Sequence, residues 1–116
     1  MDTTPEKNKY NWGMDATLGV IGGKWKPLIL YGLSDETLRF SQLFNKIKPK
    51  ITQRMLTKQL RELEEDGLIT RKVYAQVPPK VEYSLTEMGK SLIPILDQLC
   101  LWGYEHMGDR IEYQCE

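Results

Sequence analysis

The spacing of apolar residues changes its period at Gly67, and this change limits the possible folds more than any other feature of the sequence. Before Gly67, Leu56, Leu60 and Leu63 recur at intervals of four and three residues, which is typical of one helix face. Over residues 69–77, apolar and polar residues largely alternate, which is typical of a strand. The sequence therefore predicts a mainly α fold with a small β hairpin, of the α+β class.

The helix before Gly67 carries the clearest start signal in the chain. Thr52 is predicted to cap its N-terminus, with residues 53–66 as the helix and Gly67 as the stop. Ile51 precedes the cap by one residue and Leu56 follows it by four, which is the spacing of a hydrophobic staple.

Shorter elements are predicted on both sides of this helix. Residues 78–80 should turn the chain into a return strand over 81–85, and Thr86 should cap a last helix that reaches about residue 106 and kinks at Pro94. The other predicted elements are a helix over 14–21, a helix from about 24 to 32–34, an extended link over 37–40 and a helix over 41–46. This order predicts a winged helix-turn-helix domain over residues 12–110, with a flexible N-terminal arm over 1–11 and a C-terminal tail over 111–116.

Composition narrows the class of protein. A chain of 116 residues suits one compact domain. No apolar run approaches the roughly 20 residues that span a bilayer, and the polar N-terminus lacks a signal-peptide core, so we expect a cytoplasmic protein. Cys100 and Cys115 form no CxxC pair, and reduced thiols are expected.

Charge is balanced over the whole chain but strongly uneven along it. The 16 basic residues equal the 16 acidic ones in number. Residues 37–61 contain seven basic side chains and no acidic one, and four acidic residues follow over 62–66. We therefore expect one surface that attracts phosphate and another that is repelled by it.

The predicted helix over 53–66 places polar and basic side chains opposite its leucines. Such a face suits the major groove of DNA, because arginine can donate a bidentate pair to guanine and glutamine can form a similar pair with adenine. The alternative is an ordinary solvated helix face. The acid-free stretch, the short preceding helix and the basic hairpin favour DNA. The acidic C-terminal end predicts that the helix enters the groove with its N-terminus first.

Two neighbouring groups are predicted to contact the DNA backbone. In the hairpin, Lys72, Tyr74, Gln76 and Lys80 would touch phosphate or reach a minor groove, with Lys80 at the tip; the alternative is that they solvate an exposed sheet edge. Arg39 would hold a phosphate, and the alternative is a surface ion pair with Asp35 or Glu36.

The last helix is apolar on more than one stripe, which a single domain of this size rarely buries by itself. We therefore expect part of it to meet a second subunit, so that two recognition helices read two half-sites about one turn of DNA apart. The alternative is that the N-terminal arm wraps this helix.

An enzyme is not supported by the sequence. The single histidine, His106, is interpreted as a surface or interface residue. Residues 19–24 look like a phosphate loop only superficially, because the four-residue gap is missing and Trp25 stands where a magnesium-binding hydroxyl would be needed. No cluster has metal-ligand spacing, and no cofactor is expected.

Several segments resemble the HxlR-type family of winged-helix regulators. They are GGKW (22–25) with LIL (28–30), LRF (38–40), ITQRMLT (51–57), LRELEEDGL (60–68), VPPKVEYSLT (77–86) and CLWG (100–103). The resemblance implies a bacterial homodimer with a MarR-like fold that binds double-stranded operator DNA and usually represses neighbouring genes. Several members sense electrophiles or oxidants through a cysteine just before the first helix. Trp12 matches that position here, and Cys100 matches a position where other members carry cysteine.

The predicted sites are therefore a DNA-binding surface, a dimer interface and a possible redox pair. The DNA-binding residues are Arg39, Gln42, Thr52, Gln53, Arg54, Thr57, Lys58, Arg61, Lys72, Tyr74 and Lys80. The interface residues are Trp12, Leu92, Ile95, Leu96, Leu99 and Trp102, and the redox pair is Cys100 and Cys115. The leading function is a homodimeric DNA-binding repressor; the alternatives are a protein–protein interaction module and a thiol-based redox sensor.

Overall fold

The structure, a computed structural model, describes residues 9–47 and 50–112. Their elements are α1 (Gly13–Ile21), α2 (Trp25–Gly32), β1 (Leu38–Arg39), α3 (Phe40–Lys46), α4 (Gln53–Glu65), β2 (Ile69–Tyr74), β3 (Lys80–Leu85), α5 (Glu87–Lys90), α6 (Ile93–Met107) and a 3₁₀ turn (Gly108–Arg110). The predicted order of helices and strands is confirmed as far as β3, although β2 ends three residues earlier than expected.

Both ends of α4 are fixed by local hydrogen bonds. The Thr52 hydroxyl oxygen accepts from the Met55 N–H at 3.1 Å, as predicted for a cap. At the other end, Gly67 has a φ of +79°, which favours glycine because it has no Cβ. The Leu68 N–H then donates to the Leu63 carbonyl and the Gly67 N–H to that of Glu64, both at 3.0 Å. These two bonds form a Schellman motif that ends the helix and turns the chain into β2.

The three strands form one antiparallel sheet in the order β1-β3-β2. Leu38 of β1 pairs with Tyr83, and Tyr74 pairs with Lys80 at the end of the hairpin next to the turn. Tyr83 and Leu85 are buried, but Val73 is exposed, because only the end of the hairpin near residues 69 and 85 packs on the helices. The remainder projects as a wing.

The hydrophobic core lies among α2, α3, α4 and the base of the sheet. Leu56, Leu60 and Leu63 from α4 are buried there with residues of the other elements. Burial of such side chains contributes roughly 1.5–3 kcal/mol each relative to exposure. α4 is therefore anchored along its whole leucine face, and its opposite face is held towards solvent.

The prediction of one long, kinked final helix was wrong. Thr86 caps the short α5, accepting the Gly89 N–H at 3.0 Å, and a break at residues 91–92 precedes α6. Pro94 is the second residue of α6, where a missing N–H breaks no helical hydrogen bond, so it starts a helix. A Cβ on Gly89 would lie 2.1 Å from the Leu68 carbonyl oxygen, so α5 approaches the end of the α4–β2 turn too closely for any larger residue.

In the described part of the chain, no helix combines the length and the apolar character that crossing a membrane requires.

Candidate nucleic-acid interface

The two predicted faces of α4 are confirmed. Its leucines are buried. The side chains on the opposite face are all exposed, and they are Gln53, Arg54, Thr57, Lys58 and Arg61. Because the buried leucines prevent α4 from rotating, these five side chains stay on one surface. They combine guanidinium, ammonium, amide and hydroxyl groups on a row a little over two helical turns long, at roughly 3.6 residues per turn.

Some polar groups of this row are already engaged within the helix. The Thr57 hydroxyl donates to the Gln53 carbonyl at 2.8 Å, while the Thr57 side chain stays exposed. Thr52 uses its hydroxyl oxygen as the cap of α4. Arg54 lies in the first turn of α4, close to the capping residue Thr52. The helix dipole favours a bound anion at this end of the helix.

The segment before α4 contributes fewer free charges than its sequence suggests. Lys46 donates to the Gly32 carbonyl at 2.8 Å and pairs with Glu36 at 2.7 Å. Glu36, which with Asp35 was an alternative partner for Arg39, is therefore paired with Lys46. Lys50 is exposed, and its ammonium lies 5.7 Å from the centre of the Phe44 ring. Residues 48–49 lie outside the described residues.

Arg39 and Gln42 meet at the start of α3. The side-chain oxygen of Gln42 accepts the Arg39 backbone N–H at 2.9 Å, so Gln42 helps to cap this helix. Its amide N–H groups remain oriented away from that bond, and the Arg39 guanidinium is exposed. Both predicted DNA-contacting residues thus lie at one helix start, with Gln42 fixed by its capping role.

The wing carries a compact cluster around Tyr74. The ammonium groups of Lys72 and Lys80 lie 4.9 Å and 4.8 Å from the centre of the Tyr74 ring. The Tyr74 hydroxyl donates to Glu82 at 2.9 Å, and Lys80 pairs with Glu82 at 3.3 Å. The hydrogen bond from Tyr74, with the charges of Lys80 and Arg39, lowers the pKa of Glu82. Glu82 therefore stays ionised beside the basic wing.

Contrary to the prediction from the sequence, Lys80 does not lie at the tip of the wing. It is the first residue of β3 and pairs with Tyr74, while the tip is the uncharged segment 75–79. Val77 is 98% exposed there, and Gln76 is exposed beside it. Glu82 was not among the residues predicted for this surface, although alternation along β3 places residues 80 and 82 on one face.

A second acidic side chain, Glu62, is neutralised by a residue that the sequence interpretation did not single out. Lys26 of α2 pairs with Glu62 at 2.8 Å, and their side chains are 12% and 36% exposed. The hydrogen bond from Lys26 lowers the pKa of Glu62. The exposed Glu64 and Glu65 remain at the C-terminal end of α4, as the charge pattern predicted.

The predicted interface residues divide into two groups. Trp12, Ile95, Leu99 and Trp102 are exposed, the last two at 57%. Leu96 is 4% exposed and Leu92 packs against the core, so both belong to the protomer's own interior and offer little surface to a partner. Leu101, part of the apolar surface predicted on the last helix, is exposed too. Met14, Leu18 and Met107 are exposed apolar residues that were not predicted for the interface.

Cys100 lies on α6 beside a polar contact with α2. The Tyr31 hydroxyl donates to the Asp97 carboxylate, and Cys100 lies close enough to interact with the same hydroxyl. These contacts, led by the hydrogen bond to Asp97, raise the pKa of Tyr31 above its usual range. Cys100 is half-buried, and Cys115 lies outside the described residues.

Comparison with known proteins places this geometry in a family. The profile of the HxlR-like helix-turn-helix family matches residues 20–111, from the end of α1 to the end of the 3₁₀ turn. The chain belongs to the HxlR-like family. Its function is that of a helix-turn-helix transcriptional regulator, as predicted from the sequence, and the family is one of regulators and not of enzymes.

Similar proteins share most of the chain. The uncharacterized HTH-type transcriptional regulator YtcD of Bacillus subtilis is 60% identical over 102 residues, which cover 88% of this chain and 80% of YtcD. An uncharacterized HTH-type regulator of Methanothermobacter thermautotrophicus is 59% identical over 96 residues, covering 83% of this chain and 72% of that protein.

Solved structures agree with the fold. The redox regulator HypR in its oxidized form has a TM-score of 0.74 and 57% identity, covering 80% of this chain and 95% of HypR. A MarR-family regulator from Porphyromonas gingivalis has a TM-score of 0.79 and 33% identity, covering 89% and 100% of the two chains. The winged-helix, MarR-like fold predicted from the sequence is thereby confirmed.

Proposed function

We propose that this HxlR-like regulator is a homodimeric repressor that reads operator DNA in the cytoplasm with the exposed face of α4. The observation that carries the proposal is the separation of α4 into a buried leucine face and an exposed row of Gln53, Arg54, Thr57, Lys58 and Arg61. Arg54 and Gln53 would contact base edges near the N-terminal end, and the basic side chains of the wing would contact the backbone.

Direction of entry follows from the charges along α4. The N-terminal end combines Arg54 and Lys58 with the positive end of the helix dipole. Glu64 and Glu65 occupy the opposite end, where they would repel phosphate. Entry with the N-terminus first is therefore the favoured arrangement, as in helix-turn-helix proteins generally.

Dimerisation is supported by the apolar surface of α1 and α6. Leu99 and Trp102 on α6, with Trp12 and Leu18 near or on α1, leave large side chains in solvent in a single protomer. Extended apolar patches of this kind are typical of interfaces. A two-fold partner covering them would place two copies of α4 on two half-sites of a palindromic operator.

Titration of the purified protein with the DNA upstream of its own coding sequence tests the proposal. We expect binding with a dissociation constant near or below about 10⁻⁸ M for a specific site, falling steeply as salt is raised. Random duplex of equal length is the control. Failure to shift any DNA at micromolar protein would favour the alternative, a module whose basic face binds an acidic protein.

A redox response is a second candidate, because HypR, 57% identical, is described as a redox regulator. Here Cys100 and Cys115 would supply the thiols, and disulfide formation would transfer two electrons to an added oxidant such as diamide with loss of two thiol protons. Unchanged DNA affinity and unchanged mobility on a non-reducing gel after diamide would exclude this response.

A further inference from the structure

α2 is the element through which the proposed dimer helix and the proposed recognition helix are connected. It packs against α4 on one side and against α6 on another. Ile29 and Leu30 of α2 are buried in the core cluster that also contains leucines of α4 and Leu96 of α6. Any change in how α2 lies between them would therefore move α4 relative to α6.

One polar contact fixes α2 to α4. The Lys26 ammonium lies 2.8 Å from the Glu62 carboxylate, and the Lys26 side chain is only 12% exposed. A lysine withdrawn from water to this degree is unfavourable without a partner, so its position depends on Glu62. The pair is directional, because it requires residue 26 of α2 and residue 62 of α4 to stay opposite one another.

A second polar contact fixes α2 to α6. The Tyr31 hydroxyl donates to the Asp97 carboxylate, and the contact is partly buried. Tyr31 follows Lys26 by five residues, which on a helix corresponds to a rotation of about 140°. The two contacts therefore lie on different sides of α2, one with α4 and the other with α6. Together they fix the rotation of α2 about its axis and its position along that axis.

We infer that Lys26, Glu62, Tyr31 and Asp97 are positioning residues that set the distance between the two recognition helices of the dimer. Apolar packing alone permits small shifts and rotations, whereas the two polar pairs each favour one alignment. The path runs from α4 through Lys26–Glu62 to α2, and through Tyr31–Asp97 to α6. This inference rests on the proposed function as a dimeric DNA-binding regulator.

The consequence is selectivity for the spacing of half-sites. One added base pair moves a half-site by about 3.4 Å and rotates it by about 35°. A rigid dimer should lose affinity for such a site, whereas a dimer with loosened α2 contacts should tolerate it.

The experiment first selects a binding site from randomised duplex DNA with the wild-type protein. Affinities are then measured for that site, for versions with one base pair added or removed between half-sites, and for a single half-site. The variants are Lys26→Met, Glu62→Gln, Tyr31→Phe and Asp97→Asn. Lys90→Met is the matched control, because it removes a lysine whose ion pair with Glu87 lies in α5, outside this path.

We expect the wild type and Lys90→Met to lose affinity on the order of tenfold for each change in spacing, comparable to a mismatched base pair. For each change in spacing, the four positioning variants should lose less than half as much affinity as the wild type. Their affinity for the single half-site should stay within about twofold of wild type. A variant carrying both Lys26→Met and Glu62→Gln should lose no more spacing selectivity than the more affected single variant, because both substitutions disrupt the same contact.

Two results would overturn the inference, and they are distinguishable. If the wild type selects no DNA, the proposed function fails and this inference fails with it. If the wild type shows a spacing preference and folded Tyr31→Phe and Lys26→Met retain it in full, only the positioning role is wrong. Tyr31→Phe removes a single oxygen, so it keeps the test valid should Lys26→Met fold poorly.

Discussion

Thr52 controls the first turn of the proposed recognition helix through one hydrogen bond. Its hydroxyl oxygen accepts the Met55 N–H at 3.1 Å, satisfying a backbone donor that would otherwise be unpaired. Arg54 lies within the same turn. Its orientation towards a base edge therefore depends on the cap as well as on its own side chain.

Replacing Thr52 with alanine should lower the free energy of unfolding by about 1 kcal/mol, because the cap is lost while the buried leucine face is retained. Urea denaturation followed by circular dichroism measures this change. Thr52→Ser keeps a hydroxyl and should stay close to wild type. Equal midpoints for the alanine and serine variants would show that the hydroxyl does not stabilise α4.

Glu82 should weaken DNA binding by the wing, since its carboxylate pairs with Lys80 and lies near the positive charge of Arg39. Glu82→Gln should therefore raise affinity for all DNA sequences by a similar factor, and Lys80→Ala should lower it similarly for all sequences. The measurement is the logarithm of affinity against the logarithm of salt concentration. A change confined to one base position would contradict a backbone-contacting role.

The residues on the exposed face of α4 could be predicted because they follow from helical periodicity on one element. The ion pairs Lys26–Glu62 and Lys46–Glu36 could not, because each joins different segments that only tertiary packing brings together. Glu82 is the exception. Its place beside Lys80 follows from alternation along a single strand.

Among the elements, α4 was predictable to within one residue at its end because its signals are local: a capping threonine, a leucine face and a glycine stop. The division between α5 and α6 was not. Its cause is tertiary, since Gly89 lies against the Leu68 carbonyl and Thr86 donates to the Gly67 carbonyl at 2.7 Å. The pairing of β1 with β3 is likewise a long-range contact that no local pattern specifies.

The contact between α2 and α4 should give stability a defined pH dependence. Lys26 lowers the pKa of Glu62 below its ordinary value of 4.5, so folding favours the carboxylate. The stabilisation is present above pH 4.5 and is lost as pH falls through the lower, folded-state pKa. The difference in unfolding free energy between wild type and Glu62→Gln should therefore be constant near neutral pH and shrink below pH 4.5.

The matched control for this pH series is the Lys26→Met background. Without the ammonium, substituting Glu62 with glutamine should no longer produce that pH-dependent difference. If the difference between wild type and Glu62→Gln instead grows as the solution is acidified, the sign of the assigned interaction is wrong.

At the scale of the whole molecule, a chain with no net charge is expected to bind a polyanion because its charges are separated in space. Exposed basic side chains lie along α4 and on the wing, whereas Glu64 and Glu65 lie at the far end of α4 and Glu62 and Glu82 are held in ion pairs with Lys26 and Lys80. Most of the exposed large apolar side chains lie near or on α1 and on α6, although Val73 and Val77 of the wing and Met88 of α5 are exposed as well.

Introducing a charge on that apolar surface should dissociate the proposed dimer. Leu99 is 57% exposed in one protomer, so Leu99→Glu should leave the fold intact while placing an unpaired carboxylate in the interface. Sedimentation velocity should show a monomer, and affinity for a two-half-site operator should fall more than about tenfold. Met88→Glu, at a position 52% exposed on α5, is the matched control and should remain dimeric. A Leu99→Glu protein that stays dimeric would place the interface elsewhere.

The most direct test of the central claim, that α4 reads DNA, compares wild type with Arg54→Ala on every single-base variant of the selected operator. Lys90→Ala is the charge-matched control. We predict that Arg54→Ala loses about 1–3 kcal/mol of discrimination at one position in each half-site and leaves the other positions unchanged. Identical base preferences for wild type and Arg54→Ala would contradict the assignment of α4 as the recognition helix.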